Sequence, residues 1–181
     1  PCDAQREPPP PTQVPPDGSE NQEIPDEAGF NDLYEFLVAA GVSEGLSEDV
    51  VEKVESAEEA SGQELNQNSW PNIVPTALFI DNLRNSTGLN IEILGGRNTV
   101  WRHGGEISPH MQFSAIDITM RGSDRQFIQL MQICYEYWRD NGRSERMGLG
   151  FYLDRQSGQT ASDPESWDIE RQIHIDFNSL R

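Results

Sequence analysis

Two short runs with a period of two constrain this chain more than anything else in it: Phe113-Ser-Ala115-Ile-Asp117-Ile-Thr119 and Gln172-Ile-His174-Ile-Asp176-Phe177. Successive side chains of an extended strand point to opposite faces. Phe113, Ala115, Asp117 and Thr119 therefore share one face of the first run, and Ser114, Ile116 and Ile118 share the other. In the second run Ile173, Ile175 and Phe177 point to a core, while His174 and Asp176 point away from it. The chain has only 3 histidines. One is His174, and a second, His110, stands just ahead of Asp117.

The rest of the chain supplies helices and further strands around these runs. Leu33, Phe36, Leu37 and Ala40 have the three-and-four spacing of a helix that ends at Gly41. A second helix is predicted from Ser47 as its N-cap, with Val50, Val51 and Val54 apolar. Pro75 to Arg84 holds Ala77, Leu78, Ile80 and Leu83 in helical order and stops around Ser86 to Gly88. Leu89 to Leu94 alternates as a strand, and Gly95-Gly96 breaks it and exposes Arg97. Asp124 to Asp140 predicts a core-packing helix with Phe127, Ile128, Met131, Cys134, Tyr135 and Trp138 on its stripe. Gly148 to Leu153 predicts a strand, and polar loops are expected over 98–107 and 154–168.

Length and charge set the organisation. With 181 residues and 35% apolar content, the chain can bury one good core and carry appendages. Residues 1–70 hold 17 acidic and 2 basic residues, against 14 and 11 in residues 71–181, so the acidity belongs to the N-terminal part. A net charge of −18 argues against nucleic acid or an anionic membrane as partner, because both need a basic footprint. No apolar run approaches the ~20 residues of a membrane span, so no transmembrane span is expected. Pro8 to Pro11, Pro15 and Pro16 make residues 1–25 an extended, disordered tether. Residues 26–69 read as an acidic helical arm or linker, and residues 70–181 as the compact domain. Cys134 reads as a buried small apolar residue; Cys2 is either a lipid or tether attachment point or an unimportant tail thiol. The start at Pro1 without methionine leads to the expectation of an upstream segment, with a signal peptide among the candidates.

His110, Asp117 and His174 are the candidate ligands of one divalent metal. Zinc in a catalytic site takes three histidine or carboxylate ligands and leaves a fourth position for water or substrate. An ion held in that way activates water and polarises a carbonyl, which suits amide hydrolysis. The spacing equally permits two histidines and an aspartate that simply hydrogen-bond to one another. His103, in a glycine-rich loop, reads as a solvated or substrate-contacting residue.

The order of these elements resembles a known family. Leu83-Arg-x-x-Thr-Gly88, a strand ending in Gly96-Arg97, Ser108-x-His110, Ala115-x-Asp117, Gly148-x-Gly-x-Tyr152 and His174-x-Asp176 look like the zinc D-Ala-D-Ala carboxypeptidase and murein endopeptidase superfamily. The resemblance covers residues 72–181, and its relatives include phage L-alanyl-D-glutamate endolysins and the Hedgehog signalling domain. It implies an α+β domain with a small antiparallel sheet and flanking helices. It also implies zinc on His110, Asp117 and His174, Arg97 near the substrate carboxylate or oxyanion, and peptidoglycan stem peptides as substrate; Ser108 joins His103 as a candidate substrate contact. An extracytoplasmic location, periplasmic, secreted or lipid-tethered, follows from that substrate.

The chain departs from the family pattern at three positions. Phe113 stands where the pattern has glycine, Ser114 where it commonly has arginine, and Arg171 where many members carry an acidic general base. A ring at 113 is expected to narrow or reshape the cleft. Glu170 or Asp176 is then the candidate base, and Asp176 is equally a candidate orienting partner for His174. The alternative is a catalytically inactive module of the same fold in a virion or cell-surface assembly, its acidic N-terminal arm docked on a protein partner.

Overall fold

Strand alternation is resolved into one antiparallel sheet. The structure is a computed structural model and describes residues 23–62, 64–95, 110, 112–152 and 171–177. Strands β1 (Ile91–Gly95), β2 (Ala115–Met120), β3 (Gly148–Tyr152) and β4 (Gln172–Asp176) pair in the order β1-β2-β4-β3. The last strand in sequence thus inserts beside β2. In register, Ile118 faces Ile173, Ile116 faces Ile175, and Asp117 faces His174. On the flanks Ile93 faces Ile118, Phe151 faces Ile173 and Leu149 faces Ile175. Directly opposed residues of an antiparallel pair share a face, so the isoleucines, Leu149 and Phe151 make one apolar face, and Asp117, His174 and Asp176 lie on the other.

The apolar face is packed with helices α1 (Leu33–Ala39), α2 (Glu44–Ser61), α3 (Val74–Thr87) and α4 (Asp124–Asn141) into one core. Phe36, Leu46, Val50, Ile80, Leu83 and Leu130 are fully buried in it together with Ile116, Ile118, Ile173 and Ile175. Each such side chain contributes about 1.5–3 kcal/mol by leaving water. The acidic segment therefore supplies core side chains through α1 and α2, while its charges face solvent. No described helix is long and apolar enough to cross a membrane.

Helix ends follow local chemistry, with two departures from the periodicity. Asp32 caps α1 through a bond from the Glu35 amide at 2.8 Å, and Gly88 closes α3 in the left-handed region. The expected start of α2 at Ser47 is not observed: the helix begins at Glu44 with Ser43 as N-cap, and Ser47 is buried inside it. Ser43 does not cap by its own hydroxyl, because Oγ donates to Asp81 Oδ1 at 2.5 Å and ties α2 to α3. In α4 the buried positions are Phe127, Leu130, Ile133 and Cys134, whereas Ile128 and Tyr135, expected on the core stripe, are 61% and 48% exposed. Cys134 is fully buried, and burial pushes its thiol up to about 12.

Candidate metal centre

Asp117 and His174 meet because β2 and β4 pair with those two residues opposite one another. His110 comes from the turn that leads into β2. That turn is closed by the Phe113 amide donating to the His110 carbonyl at 3.0 Å. It is pinned from outside by Asn72 Nδ2, which donates to the Gln112 carbonyl at 2.9 Å, and by the buried Thr76 hydroxyl, which donates to the Ser114 carbonyl at 2.7 Å. Helix α3 and the residues just before it thus position the one ligand that the sheet does not carry.

Three atoms converge on one point. His110 Nε2 lies 3.1 Å from His174 Nδ1 and 3.3 Å from Asp117 Oδ1, and His174 Nδ1 lies 2.9 Å from the same oxygen. The side chains are mostly out of water, with exposures of 6% for His110, 13% for Asp117 and 14% for His174. Behind them, His174 Nε2 sits 3.3 Å from Asp176 Oδ2, and Asp176 is buried. The group His110, Asp117 and His174 can hold a metal ion.

The charges show how the group is satisfied. Burial disfavours the Asp117 carboxylate, but hydrogen bonds from His110 and His174, reinforced by their charges, outweigh it and hold the carboxyl down at about 2. Burial likewise disfavours a charged His174, and its bonds to Asp117 and Asp176 overcome that and raise it to about 9. Two occupancies therefore satisfy the site. In one, a protonated His174 donates through Nδ1 toward Asp117 and through Nε2 toward Asp176. In the other, a cation replaces the proton on Nδ1, and Nε2 still donates to Asp176, the arrangement by which a carboxylate orients a metal-bound histidine.

The structure joins four of the residues singled out from sequence: His110, Asp117, His174 and Asp176. Arg97, His103, Ser108 and Glu170 lie outside the described residues, as do Cys2 and the tether up to residue 22. The ring of Phe113 does not enter the cleft as expected. It is fully buried in the hydrophobic core, on a backbone with φ of 55° that favours glycine. The Arg171 guanidinium turns away as well, ion-paired with Asp124 and lying 5.5 Å from the centre of the Phe127 ring. Asn72 and Thr76 were not apparent from the motifs. Thr76 did carry a signal, a hydroxyl on the helix face shared with Ile73, Ala77 and Ile80, where a buried polar group needs a partner.

No family model, curated protein or solved structure matches the chain.

Proposed function

We propose that this chain is a zinc-dependent peptidase acting on the stem peptides or cross-links of peptidoglycan. One observation carries the reading: the near-equilateral triangle of His110 Nε2, Asp117 Oδ1 and His174 Nδ1, with sides of 2.9 to 3.3 Å. Zinc bonds of about 2.0–2.1 Å to nitrogen and oxygen give a tetrahedral edge of about 3.3–3.4 Å. The triangle is close to one face of that tetrahedron, and the donor set suits zinc. The substrate class rests on the resemblance in motif order over residues 72–181.

When bound, zinc supplies Lewis acidity toward a peptide carbonyl and activation of water. The chain's own residues do the rest. Asp176 holds Nε2 of His174, which directs Nδ1 at the ion. Asn72 and Thr76 fix the turn that presents His110. Arg97 and Ser108 are the proposed substrate contacts, with His103 beside them, and Glu170 is the proposed base, since Asp176 is engaged by His174. In this reading the protein works outside the cytoplasm, where its substrate lies.

One observation favours a second reading, an inactive module with a structural or binding role in a virion or surface assembly. Arg171, where the family pattern has its acidic base, is locked against Asp124 and Phe127. Purified chain is expected to hold about one zinc and to release new amines from muropeptides in a chelator-sensitive way. Zinc without cleavage would support the module, and unchanged metal content in His110→Ala would remove the site from both readings.

A further inference from the structure

Phe113 stands in sequence between His110 and Asp117. Alternation back from Asp117 through Ala115 would carry residue 113 onto the ligand face of the sheet. Its ring is instead fully buried in the hydrophobic core that holds Ala77 and Ile80 of α3. A backbone φ of 55° makes the difference, because it turns the chain out of the strand direction just ahead of Ala115. Among the described residues only Phe113 and Arg146 combine a side chain with positive φ, a conformation that crowds Cβ against the following carbonyl.

Such a residue persists where its surroundings over-determine it. The Asn72 amide holds the carbonyl of Gln112 on one side, and the Thr76 hydroxyl holds that of Ser114 on the other. The amide of Phe113 itself donates to the His110 carbonyl at 3.0 Å. Hydrogen bonds to a carbonyl oxygen tolerate a broad range of directions, so these bonds fix where the turn lies more firmly than how it is rotated. Rotation decides whether His110 Nε2 points at Asp117 Oδ1, 3.3 Å away, or past it. A ring locked in a close-packed core supplies the missing constraint.

We infer that Phe113 is a positioning residue for the metal centre. Its ring is a plug that sets the rotation of the turn and so aims His110 at the point that Asp117 and His174 share. Strain and burial act together: packing of the ring holds the left-handed backbone, and that backbone directs the chain from the turn into β2. Metal affinity is thereby coupled to core packing at a residue that offers the metal no ligand atom. The inference rests on the metal reading of the proposed function and needs none of its substrate chemistry.

The test compares the full wild-type chain with Phe113→Ala, Phe113→Gly, Phe113→Leu and a control, Leu130→Ala, which truncates a fully buried side chain on α4. Zinc Kd is measured by chelator competition where each protein is folded, and stability by urea unfolding of the metal-free chain. In Phe113→Ala, which keeps the strain and loses the plug, zinc Kd rises about tenfold to hundredfold. In Phe113→Gly the left-handed backbone is free of strain but no longer enforced, and the rise is smaller. Phe113→Leu refills the core and returns close to wild type. Leu130→Ala loses stability to a degree similar to Phe113→Ala, with zinc Kd at the wild-type level. Wild-type zinc Kd in folded Phe113→Ala or Phe113→Gly overturns the inference. A weakening of the same size in Leu130→Ala also overturns it, because the ring then serves only stability. Phe113→Gly carries the test if the alanine variant does not fold. A wild type that binds no zinc removes the metal centre, and this inference with it.

Discussion

Strand β4 and the residue before it carry two kinds of buried charge, and they behave differently. Arg171 meets Asp124, one cation against one anion, with the Phe127 ring over the guanidinium. That contact pairs opposite charges through one guanidinium nitrogen. Three residues further on, His174 is brought against His110 and Asp117 so that two imidazole nitrogens and a carboxylate oxygen aim at a single point. These groups carry lone pairs in common, and only a proton or a cation between them relieves the arrangement. A complementary pair is a tie between elements, whereas converging lone pairs make a socket.

The largest expected effect tests that distinction. In His174→Ala, zinc falls from about one per chain to near none, because two ligands cannot hold a catalytic ion tightly. Metal analysis after gel filtration reads it directly. Full zinc content in the variant would make the triangle a hydrogen-bonded cluster no different in kind from the Arg171 tie.

A pH series sharpens the comparison next. With zinc at about 1,000 times its Kd, binding stabilises the fold by about 4 kcal/mol, or on the order of 8–16 °C in Tm for a chain of this size. His174 is raised from 6.5 to about 9, so its contribution to metal-free stability is complete below pH 6.5 and is lost as pH rises through 9. Asp117 is lowered from 3.8 to about 2, so its contribution is present above 3.8 and is lost as pH falls through 2. Zinc competes with the proton on His174, so its stabilisation grows over the range in which the metal-free protein weakens. The gap in Tm between zinc-loaded and chelated protein is expected to widen from pH 6.5 to 9. A constant gap would mean that the metal does not displace that proton.

The parts legible in the sequence were those where one periodicity settled the outcome. Strands β2 and β4 declared their two faces by alternation, and Asp117, His174 and Asp176 fell on the polar one. The turn before β2 did not declare itself, since Phe113 adopts positive φ without being glycine, at about 1–2 kcal/mol, offset by complete burial of its ring. Local apolarity also misled in α4. Ile128 and Tyr135 are apolar but exposed, because the helix turns Phe127, Leu130 and Cys134 to the core and the sequence has more apolar residues than that face can hold. Helix α2 starts ahead of Ser47, at Glu44, and takes Gly45, a poor helix former, into its first turn. The insertion of β4 between β2 and β3 depends on long-range pairing, and no local pattern encodes it.

Asp176→Asn should give an intermediate effect. Its carboxylate accepts from Nε2 of His174, and an amide oxygen can still accept but carries no charge to strengthen the ligand nitrogen. Losing such a partner typically costs 10–100-fold in metal affinity. Competition with a zinc chelator of known affinity measures it. Unchanged affinity would leave Asp176 as part of the wall of the site.

The smallest expected effect comes from the tie. Arg171 is buried, but Asp124 opposite it has a side chain 58% exposed, so removing the cation leaves a carboxylate that water can reach. The penalty of an unpaired buried charge is therefore small, and the loss includes the contact with Phe127 and a partly screened ion pair. Methionine keeps much of the stem's packing. Arg171→Met should lower stability by about 1–2 kcal/mol and leave zinc content unchanged, because the guanidinium points to α4 and not to the ligand cluster. Urea unfolding paired with metal analysis separates the two quantities. If zinc affinity falls along with stability, Arg171 tensions β4 at His174, and tie and socket are one network.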